Sequence, residues 1–483
     1  MNAASPIDGY LSPLATRFAS ARMQGIWSPR RKFGLWRRLW LALAESERAL
    51  GLEISETQIA ALRANLDVDE AQLERAAEIE RELRHDVMAH VHLLGELAPV
   101  ARPIIHLGAT SQYVNCNAET LLLREALDLV CVKTARVIDV LADLGEAHRD
   151  LPTLAFTHYQ PAQPTTMGRR FAGWAHDLAL CLERLERTTE ELRFRGAKGA
   201  TGTQASFLQL FDGDHQKVEE LDRLVAAAFG FEDDRRLLLT GQTYPRVIDA
   251  FVLGELASTA AQLHKICNDV RLLSNRKEVD EPMGASQVGS SAMPYKQNPM
   301  RCERATGLCR FVMNLAPNAL QTAATQWLER TLDDSANRRL TLPEAFLALD
   351  GALDLMHNVG AGLVVHEGPV RANLMAELPF LATENVMMEA VKRGRDRQEV
   401  HERLRKHSRA AGAVVKQEGR PNDLLERLAS EPLLEGLDLE TMLDPAQYVG
   451  LAARQVDRFL VEIAAPVRDR YRDRLSPAPE PAV

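Results

Sequence analysis

The run GSSAMPYKQNPMRCER, Gly289 to Arg304, gathers serines, a lysine, an asparagine, a glutamate and arginines in a stretch that breaks helical periodicity. Glycines at 284 and 289, serines at 286, 290 and 291, and Pro294 make it a connection between helices rather than a core element. Such a loop can close over an anion, exclude water and carry the Ser290 hydroxyl to a substrate, with Lys296 as the local cation. Composition alone gives a solvated surface loop more readily than a lid.

Other segments carry the same ingredients. RHDVMAHVH offers Arg84, His85 and Asp86; HLGATSQYVN offers Thr110 and Ser111; FTHYQPAQPTT offers His158 and Gln160. RFRGAKGATGTQASF, LTGQTYPR and WLERTLDDSANRR add Lys198, Thr201, Gln204, Gln242, Arg330, Ser335 and Arg339. All fall near the ends of long helical patterns, where loops from several helices could converge. Hydroxyls, amides, guanidinium groups and histidine together suit a ligand with carboxylates and a phosphate, since arginine forks pair with both and helix N-termini add partial positive charge.

Competing chemistries find less support. His85, His90 and His92 lie close in sequence, but there is no HExxH and no zinc-helix spacing, so no metal is expected and His90 and His92 read as packed or helix-face residues. GAKGATG has neither the dinucleotide spacing nor the phosphate-loop GK[ST] ending, and no cofactor is expected. A net charge of -9 without a basic block argues against a nucleic-acid partner. With 46% hydrophobic and 26% charged residues the composition is that of an ordinary water-exposed globular chain, without a membrane span. The opening MNAASPIDGYLSP has neither a basic nor an apolar signal region, so a cytoplasmic location is expected. Six scattered cysteines without a CxxC pair read as reduced thiols.

The elements that must position these groups are helices. Val252, Leu256, Thr259, Leu263, Ile266, Val270 and Leu273 step by four and three alternately, an almost coiled-coil seam. Similar stripes run from Phe171 to Leu192, from Leu123 to Leu144, from about Met300 to Ala323 and from Leu342 to Leu363. These predict a central elongated bundle of five long helices. Strand signals are poor, TLAFTHYQ being the best short candidate. The fold class is all-α in three parts: an N-terminal helical domain (1–111), the bundle with the loop (112–364) and a C-terminal helical domain (365–483), whose tail SPAPEPAV reads as disordered. Long helices with apolar seams favour a homo-oligomer over a monomer.

GSSAMPYKQNPMRCER closely resembles the signature loop of the fumarase/aspartase superfamily, GSSxMPxKxNP, and the five-helix bundle is what that three-domain fold implies. SSAMPYK followed by NPMR, with IIHLGATS, LPTLAFTHYQPAQ, TGQTYPR and ERTLDDSANRR, is similar to the branch that cleaves adenylosuccinate to AMP and fumarate and SAICAR to AICAR and fumarate. The similarity runs from about Pro13 to Val467. It implies β-elimination, with Ser290 as general base, His158 as general acid and Glu303 as the histidine's partner. It implies further that Lys296 and His85 act beside the reacting atoms. Arg17, Phe18, Arg84, Asp86, Thr110, Ser111, Gln242, Asn298, Arg304, Arg330, Ser335 and Arg339 are implied as substrate-binding, in a homotetramer whose sites combine residues from three subunits. Phe18 stands where tyrosine is usual, Gln297 where arginine is usual and Cys302 where serine is usual, which reads as tuning of affinity. The alternatives are another fumarate-releasing lyase of the superfamily, such as one acting on argininosuccinate, and a catalytically silent helical scaffold. Tyr295 and TLDDSANRR argue against the first, and the intact set of proposed groups argues against the second.

Overall fold

The computed structural model describes residues 9–284 and 289–475; Ser286 and the proline-rich tail lie outside them. The five long helices are α1 (Ser111–Ala147), α2 (Met167–Glu191), α3 (Val247–Asn275), α4 (Met300–Ala324) and α5 (Asp334–Gly362). α1, α2, α3 and α5 start earlier than their apolar stripes, and α4 starts with its own; the added turns of α1, with Tyr113 and Val114, pack into the neighbouring N-terminal core. Their stripes close one core in which Leu127, Phe171, Leu178, Leu256, Leu263, Val312, Phe346 and Leu353 are all buried. Small residues let α5 run through its middle: Ala345, Ala348, Gly351 and Ala352 are buried there, and neighbouring helices approach closely.

TLAFTHYQ is a hairpin. Strands β1 (Pro152–Thr157) and β2 (Gln160–Thr166) pair antiparallel with Thr157 opposite Gln160. The two-residue turn between them, His158 and Tyr159, takes positive φ at both positions (53° and 56°). That is the hairpin turn usually given to Asn-Gly, here made by two bulky residues in a sparsely populated conformation. A second pairing, β3 (Val279–Asp280) with β4 (Val364–Val365), ties the exit of α3 to the exit of α5.

The cores do not follow chain segments one to one. Helices Pro29–Ala49 and Asp86–Leu97 share a core with the first turns of α1 and with Phe194, Phe207, Leu221 and Phe231. Val386, Val400, Leu424 and Leu434 form a separate C-terminal core, yet Val456, Phe459, Val467 and Tyr471 return to the bundle. All six cysteines are free thiols, five of them buried. Among the described residues no helix is long and apolar enough to cross a membrane.

Connectivity fixes where the loops go. α1, α3 and α5 run one way and α2 and α4 the other, so the starts of α1, α3 and α5 share one end of the bundle with the exit of α4. The β1–β2 hairpin and the segment from Gly289 to Pro299 share the opposite end, where the Arg276 guanidinium stacks over Phe156 at 4.7 Å.

Candidate active site

At the Ser111 end a cleft of about 890 Å³ is lined by Arg84, His85, Asp86, Ser111, Gln242, Arg330, Ser335 and Arg339, all singled out from sequence. Three helix N-termini surround it: that of Asp86–Leu97, capped by the His85 ring accepting from Met88 N–H at 3.4 Å, and those of α1 and α5. Aligned peptide dipoles make this end attractive to anions. His85 Nε2 lies 3.4 Å from Ser111 Oγ, and Thr110 holds the N-cap position of α1 without using its side chain as the cap. Arg339 donates to Asp86 at 2.8 Å. Burial pushes the Asp86 carboxyl up, but the Arg339 bond and the Val87 N–H outweigh it and hold it below the ordinary range.

The floor of this cleft is a buried ionic lattice. Arg338 donates to Asp249 at 2.6 Å and to Glu119 at 2.8 Å, and Tyr244 donates to Asp249 at 2.6 Å. Arg246 pairs with Asp334 at 2.7 Å, and Arg330 donates to Gln242 at 3.0 Å. Gly241 sits so close to the 327–332 turn that a Cβ would stand 2.5 Å from the Glu329 carbonyl oxygen. Charged groups buried this way are costly unless fully paired, and the pairing fixes one arrangement of two loops. Sequence reasoning singled out neither Arg246 nor Arg338, although both lie within segments it quoted. Gln112 and Asn115 also line the cleft; they follow Ser111 on the first turn of α1, and that helical spacing is the signal that would have found them. Lys198 and Gln204 do not join it: Lys198 is buried on Asp222 at 2.7 Å, and the Gln204 amide donates to the Ala197 carbonyl.

At the hairpin end the geometry is sparser. Ser290 Oγ accepts from the backbone N–H groups of Met293 at 3.2 Å and Ala292 at 3.4 Å. Asn298 donates across the loop to the Gly289 carbonyl at 2.9 Å, and a Cβ on Gly289 would stand 2.6 Å from the Lys296 carbonyl oxygen. Lys296 itself is exposed. The loop returns into α4, whose first N–H groups, on Arg301 and Cys302, donate to the Glu281 carboxylate at 2.9 and 2.7 Å. Arg304 follows on that first turn. His158 stands exposed at the hairpin tip, and among the described residues no hydrogen bond or ion pair joins it to Glu303, which faces Arg271 at 3.7 Å. A larger cleft of about 1020 Å³ under the hairpin contains none of the singled-out residues.

A third position lies on the flank. Phe18 packs against Gly351, about 24 Å along α5 from Ser335, beyond the reach of the neighbouring Arg17 side chain. The chain therefore gathers its candidate residues in three places, and the two main ones are separated by the length of α4, about 37 Å.

Residues 18–314 match the family described as Lyase, and residues 379–459 match the Adenylosuccinate lyase C-terminus. The adenylosuccinate lyase of Schizosaccharomyces pombe is 50% identical over 93% of this chain and 94% of its own. The chain belongs to the adenylosuccinate lyase family. The adenylosuccinate lyases of Saccharomyces cerevisiae (47% identical, 94% of each chain covered) and Schistosoma mansoni (47% identical, 97% of each) are similar over the same span. Among solved structures, the 3-carboxy-cis,cis-muconate lactonizing enzyme of Pseudomonas putida superposes with a TM-score of 0.80 at 27% identity, covering 95% of this chain and 99% of its own. A fumarate lyase from Mesorhizobium sp. BNC1 gives 0.78 at 25% identity, covering 92% and 98%. The chain is a lyase, and the long bundle is its frame.

Proposed function

We propose that the protein releases fumarate by β-elimination from adenylosuccinate, giving AMP, and from SAICAR, giving AICAR. The observation that carries the mechanism is the Ser290 hydroxyl, held by two backbone N–H groups. A serine hydroxyl is too weak a base in water; an alkoxide facing two N–H donors and the Lys296 ammonium in a closed site is stabilised where its charge develops. Ser290 removes the proton from the succinyl Cβ. The electron pair is delocalised into the adjacent carboxylate as an aci-carboxylate, then forms the alkene as the C–N bond breaks. The bond's electrons leave with nitrogen, which takes a proton from His158, a group whose ordinary pKa suits donation near neutrality. Lys296 and Asn298 hold the carboxylate that takes the charge, and Glu303 orients the histidine.

The binding half follows from the Ser111 end. Arg330, Arg339 and Ser335, with Ser111, Thr110 and Gln242, fit the phosphate and succinyl groups, and His85 with Arg84 and Asp86 closes over the substrate. Arg304 supplies a further cation, Arg17 one for the nucleotide phosphate, and Phe18 an apolar contact. Because the two halves lie about 37 Å apart in one chain, the working site needs other copies, packed so that one chain's hairpin end meets another's Ser111 end. A homotetramer with sites shared among three subunits meets this requirement. Exposed Phe251 on α3, Phe311 and Leu320 on α4 and Leu340 on α5 give the bundle apolar faces to bury in it. Free thiols and the net charge of -9 fit a cytoplasmic enzyme with no nucleic-acid partner.

The test is fumarate and AMP release from adenylosuccinate by the purified protein, with argininosuccinate as control. Equal release of both products and a silent control are expected; a folded oligomer that spares adenylosuccinate would overturn the reading. Mixing and refolding two impaired variants, Ser290→Ala and Arg339→Ala, assayed at substrate well below the raised KM, tests the shared site. Hybrid oligomers should regain part of the activity, and none would be regained by sites built from single chains.

A further inference from the structure

Lys133, on α1, lies buried between two carboxylates of α5, 2.6 Å from Asp350 and 2.6 Å from Asp354. All three are at most 9% exposed, in the middle of an otherwise apolar bundle. An ionic group in that place is weak evidence for stability, since apolar residues of similar volume often serve as well. Its geometry gives it another task. The second Asp350 oxygen, Oδ2, accepts from the backbone N–H of Ser20 at 2.6 Å. Ser20 in turn caps the helix Ala21–Ile26, its hydroxyl accepting from Met23 N–H at 3.3 Å. The next residue on α5 is Gly351, where a Cβ would stand 2.8 Å from the Phe18 carbonyl oxygen and 3.0 Å from its carbonyl carbon. One ion-backed hydrogen bond and one absent side chain thus lay the turn Leu14–Phe18 onto the flank of the bundle, and Ala19 N–H closes that turn on the Leu14 carbonyl at 2.8 Å. Arg17 is the exposed cation this turn presents.

We propose that Lys133, Asp350, Gly351 and Ser20 are positioning residues for Arg17, fixing the point on the bundle flank from which it reaches the phosphate of a nucleotide bound between subunits. The inference rests on the reading of Arg17 as a phosphate ligand. The Lys133 charge holds the Asp350 carboxylate in place, and the carboxylate holds the Ser20 backbone. None of the four touches the proposed acid or base.

Ser20→Pro isolates the key bond. Ser20 has φ -63° and the preceding Ala19 is extended, so proline fits the backbone and removes only the N–H and the capping hydroxyl. Ser20→Ala removes the hydroxyl alone and is the control. The assay, on the intact oligomer, is competitive inhibition of fumarate release by AMP and by adenosine, with kcat and KM for adenylosuccinate. Ser20→Pro and Gly351→Ala should each weaken AMP about tenfold or more, raise KM and leave kcat and adenosine inhibition within about twofold, while Ser20→Ala stays near wild type. Combined with Arg17→Ala, neither should weaken AMP further. Equal losses for AMP and adenosine, or losses that multiply with that of Arg17→Ala, would overturn the proposal. So would a normal AMP response in Ser20→Pro when Arg17→Ala alone weakens it. If Arg17→Ala leaves AMP inhibition unchanged, the phosphate-ligand reading fails, and the inference fails with it.

Discussion

The two ends of the bundle are built on opposite principles. At the Ser111 end, Arg330 and Gln242 stand on a buried lattice of Arg246, Arg338, Asp249 and Asp334, and Arg339 is tied to Asp86. At the hairpin end, Lys296 and His158 are exposed, and among the described residues Ser290 is held by N–H groups of its own loop. On the proposed reading, one end is pre-organised to hold anions before any ligand arrives, and the other carries the proton-transfer groups, which acquire their surroundings only on closure or assembly. That reading divides binding and chemistry along a single helix length, and under it variants at the two ends should fail in different ways.

The largest effect is expected from the hairpin end. Ser290→Ala should lower kcat by about a thousandfold or more while substrate still binds, measured by single-turnover fumarate release beside equilibrium binding of AMP. An equal loss of binding would merge the two ends into one function. At the Ser111 end, Arg339→Ala should raise KM about ten- to a hundredfold with a smaller change in kcat, since it removes a charged contact to the ligand and strips Asp86 of its partner. A kcat loss matching that of Ser290→Ala would break the division of labour.

Stability sharpens the contrast, because two histidines, the buried His90 and the half-buried His106, lie against the N-terminal core beside the Ser111 end. Burial, with the nearby Arg37 cation, pushes His90 down to about 4, and burial with His85 pushes His106 down to about 4. His90 stacks on Phe33 at 3.9 Å, and Trp40 donates to His106 at 2.9 Å. Both rings are neutral in the fold, while the unfolded chain takes up protons below its ordinary histidine pKa of about 6.5. Stability should therefore fall as pH drops from about 6.5 toward 4, on the order of 2 kcal/mol per histidine. Urea melts at pH 7 and pH 5 check it, and His90→Phe should flatten the slope.

Glu47 acts with the opposite sign. Among the described residues neither of its oxygens has a hydrogen-bond partner, and burial raises its carboxyl to about 9. The unfolded chain loses that proton near pH 4.5, so Glu47 costs stability increasingly as pH rises toward 9. Glu47→Gln should raise the melting temperature by a few degrees at pH 8 and leave it nearly unchanged at pH 4.5, read by calorimetry.

Much of this was legible in the sequence. The stripe from Val252 to Leu273 marked α3, and the polar runs beyond each stripe supplied nearly every residue of the Ser111 cleft. The sequence could not show that Arg338, beside Arg339, points into the core while its neighbour faces the ligand side, since that depends on which face of α5 meets Asp249. Nor could it show that His158 and Glu303 lie apart within the chain, because chain direction, rather than composition, sends them to one end without bringing them together. The return of Val456 to Tyr471 to the bundle core was hidden for the same reason: a short amphipathic helix does not announce its partner.

The alternation of helix direction has a consequence for how much enzyme a cell's protein amounts to. On the proposed shared site, a single chain carries both halves of the reaction without bringing them together, so it is its own activator only in company. Diluted below its assembly range, the protein should lose specific activity faster than in proportion to its concentration while its helices remain intact, and restoring the concentration should restore turnover without refolding.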